Sequence, residues 1–429
     1  AGAVAALCWA GGLVVAAGGV VVHQLWLLWL GGGVIGGVGL GLGYISPVST
    51  LVKWFPDRRG MATGMAIMGF GGGAMIGSPL AQILMDGGNF INVDVPGLQY
   101  TALHFAGFKS AAGPGVWQAF LCLAAGYFVF MMIGAFGYRL PPANWRPDGW
   151  TPPVNAKAMI TQRHVHLKDA HKTLAFWMIW GVLALNVSAG IGVLGMASPI
   201  LQEVFGASAA VGAGFAGLLS LFNIGGRFFW ASLSDRIGRK NTYYTFFLLG
   251  IVLYALTPWA AHAGLRAAYV IFFCIIVSMY GGGFATVPAY LADVFGTQFV
   301  GAIHGRLLTA WSAAGIIGPT VVFYIREFEK KAGVPDDQLY DVTAYVLAAM
   351  LVGGLICNLL VRPLSDKWFM KPEEVAALQA KSDGATAASG SFGIGKGGLS
   401  FGALVFWLFV GIPLAWGVLR TLNAAFKIF

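Results

Sequence analysis

The stretch SLFNIGGRFFWASLSDRIGRK, residues 220–240, gathers side chains that could act on a charged molecule. Asp235, Arg236, Arg239 and Lys240 end an apolar run in the ordinary way, at a water interface. Arg227 lies eight residues back inside the run, about 12 Å deeper if the run is helical at ~1.5 Å per residue. A permanent cation at a helix centre costs roughly 2.5–3.5 kcal/mol even on lenient insertion scales. Two structural roles could explain it: the side chain snorkels to the headgroups, or it pairs with a carboxylate. Snorkelling is difficult from that depth. No Asp or Glu falls in the middle of an apolar run either, since Glu203, Asp86 and Asp293 all lie near run ends. A substrate-facing role fits better. Pairing with a segment outside this sequence stays open.

Other chemistry lacks the residues it needs. Cys8, Cys122, Cys274 and Cys357 each sit inside an apolar run without paired spacing, so neither a disulfide nor a metal site is expected. No nucleophile–base constellation, phosphate-cradling loop or metal-ligand spacing appears, so the chain is not expected to be an enzyme or to hold a cofactor. His304 is placed near the cytoplasmic interface, which leaves no intramembrane Asp, Glu or His as a proton site. The chain is 58% hydrophobic and 10% charged, with mean hydropathy +0.75. Soluble chains run near one quarter charged, so this one belongs in a bilayer, with lipid as its surroundings. Its net charge of +9 does not indicate nucleic acid, because the basic residues sit in short loops between apolar runs.

Spans need about 20 mostly apolar residues. Ten candidates precede residue 365, at 1–22, 25–52, 61–85, 116–138, 173–202, 209–233, 241–261, 267–292, 301–325 and 341–361. An eleventh, LSFGALVFWLFVGIPLAWGVLRTL, follows a polar linker. If the loops KWFPDRRG and SDRIGRK are cytoplasmic, that side collects 18 of the 26 Lys and Arg residues and the opposite side five, a clear positive-inside bias. Arg420 and Lys427 then fall on the wrong side if the tail crosses, so its full crossing stays open. The opening AGAVAALCWAGGLVVAAGGVVV has no basic residues before it, and reads as a spanning helix rather than a signal peptide. The run GGGVIGGVGLGLG lies within a span and marks close helix packing.

A repeat organises the whole. GYISPVSTLVKWFPDRRGMATGMAIMGFGGGAMIGSP sets Pro47, Gly60, Gly64 and Gly77 in order. GGFATVPAYLADVFGTQFVGAIHGRLLTAWSAAGIIGP sets Pro288, Gly301, Gly305 and Gly318, each 241 residues later. Parallel repeats of six helices are one of the main transporter designs.

WASLSDRIGRK resembles the loop signature of the major facilitator superfamily, in which an acidic helix end faces basic residues in a tight turn. Asp235, Arg236, Arg239 and Lys240 are the residues of that expected cytoplasmic latch; for Arg239 and Lys240 a merely solvated loop is an equal alternative. GYISPVSTLVKWFPDRRGMATG, with the following GFGGGAMIG, is similar to the oxalate/formate antiporter family, a relative of the monocarboxylate transporters. The resemblance implies an all-α polytopic membrane protein of two pseudo-symmetric bundles around a central cavity. It divides the chain into an N-terminal bundle (1–138, helices 3–6 of the fold, the first two absent from this chain), a cytoplasmic connector (139–172), a C-terminal bundle (173–365, helices 7–12), a polar linker (366–398) and an extra hydrophobic helix (399–429). That last helix looks like the short accessory subunit found with some such transporters, and could dock on the bundle or on another membrane subunit.

By the same resemblance Arg227 matches the family's substrate-binding arginine, and Tyr44 a cavity tyrosine. Tyr280 and Phe284, which share one helix face at i, i+4, match an aromatic pair. Packed or lipid-facing rings are the ordinary alternative for all three. Trp311 falls where the oxalate antiporter has a second cation. One cation suits a monoanion, so a small monocarboxylate such as formate, lactate or pyruvate is favoured over oxalate. The expected function is alternating-access transport of such anions, by antiport, at the bacterial inner (cytoplasmic) membrane. The rivals are a proton-coupled monocarboxylate symporter and a non-transporting membrane subunit built on the same fold.

Overall fold

The computed structural model describes residues 1–95, 98–110, 113–142, 145–147, 149, 160–161, 163–378, 408, 411–413 and 415–422. Ten long helices follow one another: α1 (Gly2–Val21), α2 (Leu25–Trp54), α3 (Arg59–Asp86), α4 (Val116–Gly137), α5 (Leu174–Phe205), α6 (Ala209–Ile237), α7 (Arg239–His262), α8 (Arg266–Phe295), α9 (Val300–Lys331) and α10 (Asp341–Leu360). Their positions follow the ten apolar runs closely. Among the described residues, nine helices are long and apolar enough to cross a membrane. The remaining long helix, α6, has 29 residues and carries Asn223 and Arg227 in its middle and Asp235 and Arg236 at its end.

Breaks between the helices use a few local devices. Thr173 and Ser208 cap α5 and α6, each accepting from the backbone N–H three residues on, the usual satisfaction of an orphan donor. Gly238 alone separates α6 from α7, with φ 88° and ψ 148°, a conformation open essentially to glycine. This is the tight turn of the SDRIGRK loop. In α2 a π-helical turn spans Trp29–Ile35, where a side chain added at Gly31 would lie 2.4 Å from the Gly12 carbonyl. Gly39 approaches the Trp9 backbone just as closely, whereas Gly32, Gly33, Gly37 and Gly41 face open space. Only part of the glycine run therefore serves helix packing.

The helices form two bundles. In one, α1 packs on α4 and α2; in the other, α5 packs on α9 and α10, and α7 on α10. The bundles meet where α3 lies along α6 and where the start of α9 lies along α2. Four of the repeat glycines sit at these two crossings. A Cβ on Gly60 or Gly64 would come within 2.3 Å of the Ala231 carbonyl or 2.7 Å of the Arg227 carbonyl. On the other crossing, Gly301 would meet Ser49 Cβ at 2.9 Å and Gly305 would meet Ile45 Cδ1 at 3.2 Å. Gly318, by contrast, packs within its own bundle, against the Ser188 carbonyl of α5.

Between α3 and α4 the chain forms an antiparallel hairpin, β1 (Gly88–Val95) with β2 (Leu98–Phe105), in register Gly88 with Phe105 and Asn92 with Thr101. The sequence analysis assigned no element there. Of the connector and linker, residues 143–144, 148, 150–159, 162 and 379–398 lie outside the described residues, as does much of the tail span. Residues 411–413 and 415–422 are helical. Trp416 Nε1 donates to the Phe90 carbonyl and Arg420 to the Asn89 carbonyl of β1. Gly417 approaches Met75 and Ile76 of α3, and Thr421 lies beside Gly217 of α6.

Candidate functional site

Arg227 sits where α6 crosses α3, and it is 1% exposed. Its aliphatic stem is threaded between two glycines: a side chain at Gly71 of α3 would meet Nε at 2.9 Å, and one at Gly281 of α8 would meet Cγ at 3.2 Å. Nε–H donates to Asn223 Oδ1 at 3.0 Å, one turn back on α6, and Nη1 donates to the Ile67 carbonyl at 3.3 Å. The guanidinium lies over Phe70 and Phe284, 5.5 and 5.3 Å from their centroids, close enough for the ring faces to attract it. No Asp or Glu among the described residues pairs with it. The side chain does not snorkel, and among the described residues no carboxylate neutralises it.

Two of the five N–H groups of a guanidinium are thus engaged, both by neutral acceptors. A neutral acceptor does not cancel the charge, so the site retains a desolvated positive centre. Tyr44 and Tyr280 lie within its electrostatic reach.

The four aromatic candidates gather around this point. Tyr280 packs edge-on to Phe284 at 5.4 Å, and Phe284 edge-on to Trp311 at 5.1 Å. Trp311 meets Phe70 at 5.3 Å and Tyr44 at 6.0 Å, and Tyr44 meets Phe70 at 5.7 Å. Rings from α2, α3, α8 and α9 thereby enclose the cation and exclude water from it. Tyr44 is 7% exposed, and its hydroxyl is buried without a hydrogen-bond partner.

His304, expected near the cytoplasmic interface, is buried there: it is 2% exposed, and its ring lies 5.7 Å from that of Tyr44. The start of α9 is covered on one side by α2 and α8. On the other it is covered by residues 160–172, where Thr161 and Val165 donate to the Asp293 and Phe295 carbonyls at the end of α8. Counting depth along α9 alone missed this cover.

The cytoplasmic loop residues divide by role. Asp235 Oδ1 accepts from the Gly60 amide and Oδ2 from the Met61 amide, both at 2.9 Å, so one carboxylate caps the N-terminus of α3 from the other bundle. Arg239 donates to Asp235 at 2.6 Å and to Ser234 at 2.7 Å, and lies 3.4 Å from Asp293. Arg59 of α3 reaches the same Asp293 at 3.4 Å. Lys240 instead donates to the Leu359 and Val361 carbonyls at the end of α10, and Arg236 forms no ion pair among the described residues. The loop expectation for Asp235 and Arg239 thus gains two partners it did not name, Arg59 and Asp293. Phe70 was also missed; it lies in the GFGGGAMIG run already singled out, beside Gly71.

Two bundles that meet across small-residue helix crossings, around a buried unpaired cation and above a charged latch, define a helical membrane transporter. The profile of the Major Facilitator Superfamily matches residues 2–319, and the chain belongs to that superfamily, whose members are transporters rather than enzymes. Among curated proteins it is 27% identical over 288 residues to the oxalate:formate antiporter of Oxalobacter formigenes, covering 66% of this chain and 59% of that one. It is 26% identical over 339 residues to apicoplast pyruvate carrier 1 of Toxoplasma gondii, covering 69% and 59%. The chain thus matches 59% of the length of each of these relatives. The crystal structure of the superfamily transporter FucP in the outward conformation shares the fold, with TM-score 0.50, 14% identity, and coverage of 83% of this chain and 82% of that one.

Proposed function

We propose that the protein exchanges small carboxylate anions, monocarboxylates before dicarboxylates, by alternating access across a bacterial cytoplasmic membrane. The observation that carries this reading is the buried guanidinium of Arg227, free of any acidic partner among the described residues and walled by Tyr44, Phe70, Tyr280, Phe284 and Trp311. The anion supplies the missing charge, pairing with the free edge of the guanidinium; the hydroxyl of Tyr44 is a further donor. An empty centre holds an uncompensated cation and resists full closure; a loaded one is neutral and can rock between the two openings. Exchange is then faster than net flux.

Asp235, Arg239, Arg59 and Asp293 close the cytoplasmic side in the present conformation and release when the bundles rock. The tail helix, through Trp416, Gly417 and Arg420, rests on the hairpin and α3 as an in-built accessory element. The names of the two curated relatives, one handling oxalate and formate and one pyruvate, support the carboxylate class. The test is uptake of labelled formate, pyruvate and oxalate into preloaded proteoliposomes by the parent protein and by Arg227→Gln. Loss of exchange in the variant is expected; near-normal exchange ends the proposal. Proton-coupled symport, the rival mode, is selected if uptake follows a pH gradient without any counter-anion.

A further inference from the structure

We propose that the tail helix is a strut between the two bundles: docked, it favours the conformation in which the cytoplasmic side is shut, and it must shift for that side to open. This rests on the alternating-access reading above and names what regulates it. The contact between α3 and α6 follows one antiparallel register, with Gly60 against Ala231, Gly64 against Arg227 and Gly71 against Ile224. One further turn toward the hairpin brings α3 to Met75 and Ile76 and α6 to about Ser220. At that height the tail touches both helices. A side chain added at Gly417 would lie 3.0 Å from Ile76 Cγ1 and 3.3 Å from the Met75 carbonyl, and one added at Gly217 of α6 would lie 3.3 Å from Thr421 Cγ2. A glycine of the tail thus meets α3, and a glycine of α6 meets the tail, the close approach that small residues permit between membrane helices.

The sides of the tail are sorted to match. Gly417 and Thr421 stand four residues apart on one face, and both are buried. Trp416 and Arg420 share the adjoining face and hold the hairpin, donating to the Phe90 and Asn89 carbonyls. The Arg420 guanidinium also lies 5.3 Å from the centroid of the Trp416 ring. Ile412, Leu419 and Leu422 fall on the opposite side and are exposed, as suits a face turned to lipid.

The docked tail ties α3 and the hairpin of one bundle to α6 of the other. It does so toward the end of the crossing opposite Asp235. In the proposed cycle the bundles rock as rigid bodies, so parting α3 from α6 at Asp235 changes their spacing at Met75 and Gly217. One rigid helix cannot keep both contacts through that change. The contacts of Gly417 and Thr421 are made while Asp235 holds the amides of Gly60 and Met61, and they add to the stability of that conformation.

The experiment frees the tail in one arm and pins it in the other. Thr63→Cys, buried at the crossing, is the reporter, with Cys8, Cys122, Cys274 and Cys357 replaced; an impermeant thiol reagent is applied from the cytoplasmic side and the labelled peptide is quantified. Adding Trp416→Ala with Arg420→Gln removes both hairpin anchors and should raise the labelling rate about tenfold. For the pin, a Cβ at Gly217 lies 3.9 Å from Thr421 Cβ, within the roughly 3.5–4.5 Å of a disulfide. Gly217→Cys with Thr421→Cys should oxidise, suppress labelling of the reporter about tenfold, and recover it on reduction; neither cysteine alone should respond to oxidant. A rate within about twofold of the reporter parent in either arm overturns the proposal, as does a cysteine pair that fails to oxidise. A parent that exchanges none of formate, pyruvate and oxalate ends the carboxylate reading, whereas the labelling rates, which need no substrate, still decide on the strut.

Discussion

Asp235→Asn probes how the cytoplasmic side is held shut. The carboxylate accepts from two amides of α3, at Gly60 and Met61, and from Arg239. An asparagine offers one acceptor oxygen and turns an NH2 group toward the other donor, so at least one of the two amide bonds is lost. A hydrogen bond to a charged group is worth about 1.5–3 kcal/mol, and a negative charge at a helix N-terminus about 0.3–1 kcal/mol more. Arg239 and Arg59 keep Asp293, so the rest of the latch survives. The bonds to Gly60 and Met61 cross between bundles, and on the proposed latch they break when that side opens, so the whole of this loss would shift the equilibrium toward cytoplasmic opening.

A loss of about 2–4 kcal/mol raises the open-to-closed ratio roughly 30-fold to 1,000-fold. Thr63 reports it well: it is buried at the crossing, where its hydroxyl donates to the Ala285 carbonyl of α8. With Cys8, Cys122, Cys274 and Cys357 replaced, Thr63→Cys should react with a membrane-impermeant thiol reagent applied from the cytoplasmic side. Adding Asp235→Asn should raise that rate at least about tenfold. A rate within about twofold of the Thr63→Cys parent refutes the idea that Asp235 latches the bundles.

Three further outcomes follow from the same contacts. Gly64→Ala drives a methyl to within 2.7 Å of the Arg227 carbonyl, which cannot retreat, whereas Gly305→Ala meets the mobile end of Ile45 at 3.2 Å; the first should raise cytoplasmic thiol access strongly and the second hardly at all, at an overpacking cost of about 1–3 kcal/mol for the rigid site. Arg227→Met should raise the melting temperature of the detergent-solubilised protein, because replacing a buried unpaired charge by an apolar chain of similar volume is often stabilising by about 1–4 kcal/mol; a lower melting temperature would mean that the cation serves the fold. His164, outside the spans, has its imidazole held below the ordinary histidine value by burial, with the Arg59 guanidinium adding to the effect; the unfolded chain then binds the proton more readily, so stability falls as pH drops through about 6.5, and His164→Gln should flatten the dependence of melting temperature on pH in that range.

The spans were legible because each apolar run is long and ends in charge, Gly or Pro. Arg227 was legible because an arginine so deep in such a run demands an account from the sequence alone. The pairing of Tyr280 with Phe284 follows from helical spacing on one helix. What lies across a helix crossing was not legible. The Ile67 carbonyl and the amides of Gly60 and Met61 are backbone groups that any sequence possesses, so nothing in their residue types marks them as partners. The burial of His304 was not legible because it depends on α2, α8 and the 160–172 segment rather than on its own helix. The hairpin was missed because two eight-residue strands in a loop give a weak alternating signal beside 20-residue spans.

The repeat acquires a physical meaning from these crossings. Gly60 and Gly64 let α3 touch the backbone of α6, and Gly301 and Gly305 let α9 touch α2, so both glycine pairs set how closely the bundles can approach. The two crossings are not equivalent. Around Gly301 and Gly305 the neighbours are Ser49 and Ile45, whose contacts are weak and can slide. Around Gly60 and Gly64 one stretch of α6 carries Arg227, Ala231 and Asp235, one turn apart, against a single face of α3. Arg227 and Asp235 are thus about 12 Å apart on one helix. In the proposed cycle, a shift of α6 that accommodates an anion at Arg227 also moves Asp235 against the amides of Gly60 and Met61, so that substrate and gate would be coupled through one rod.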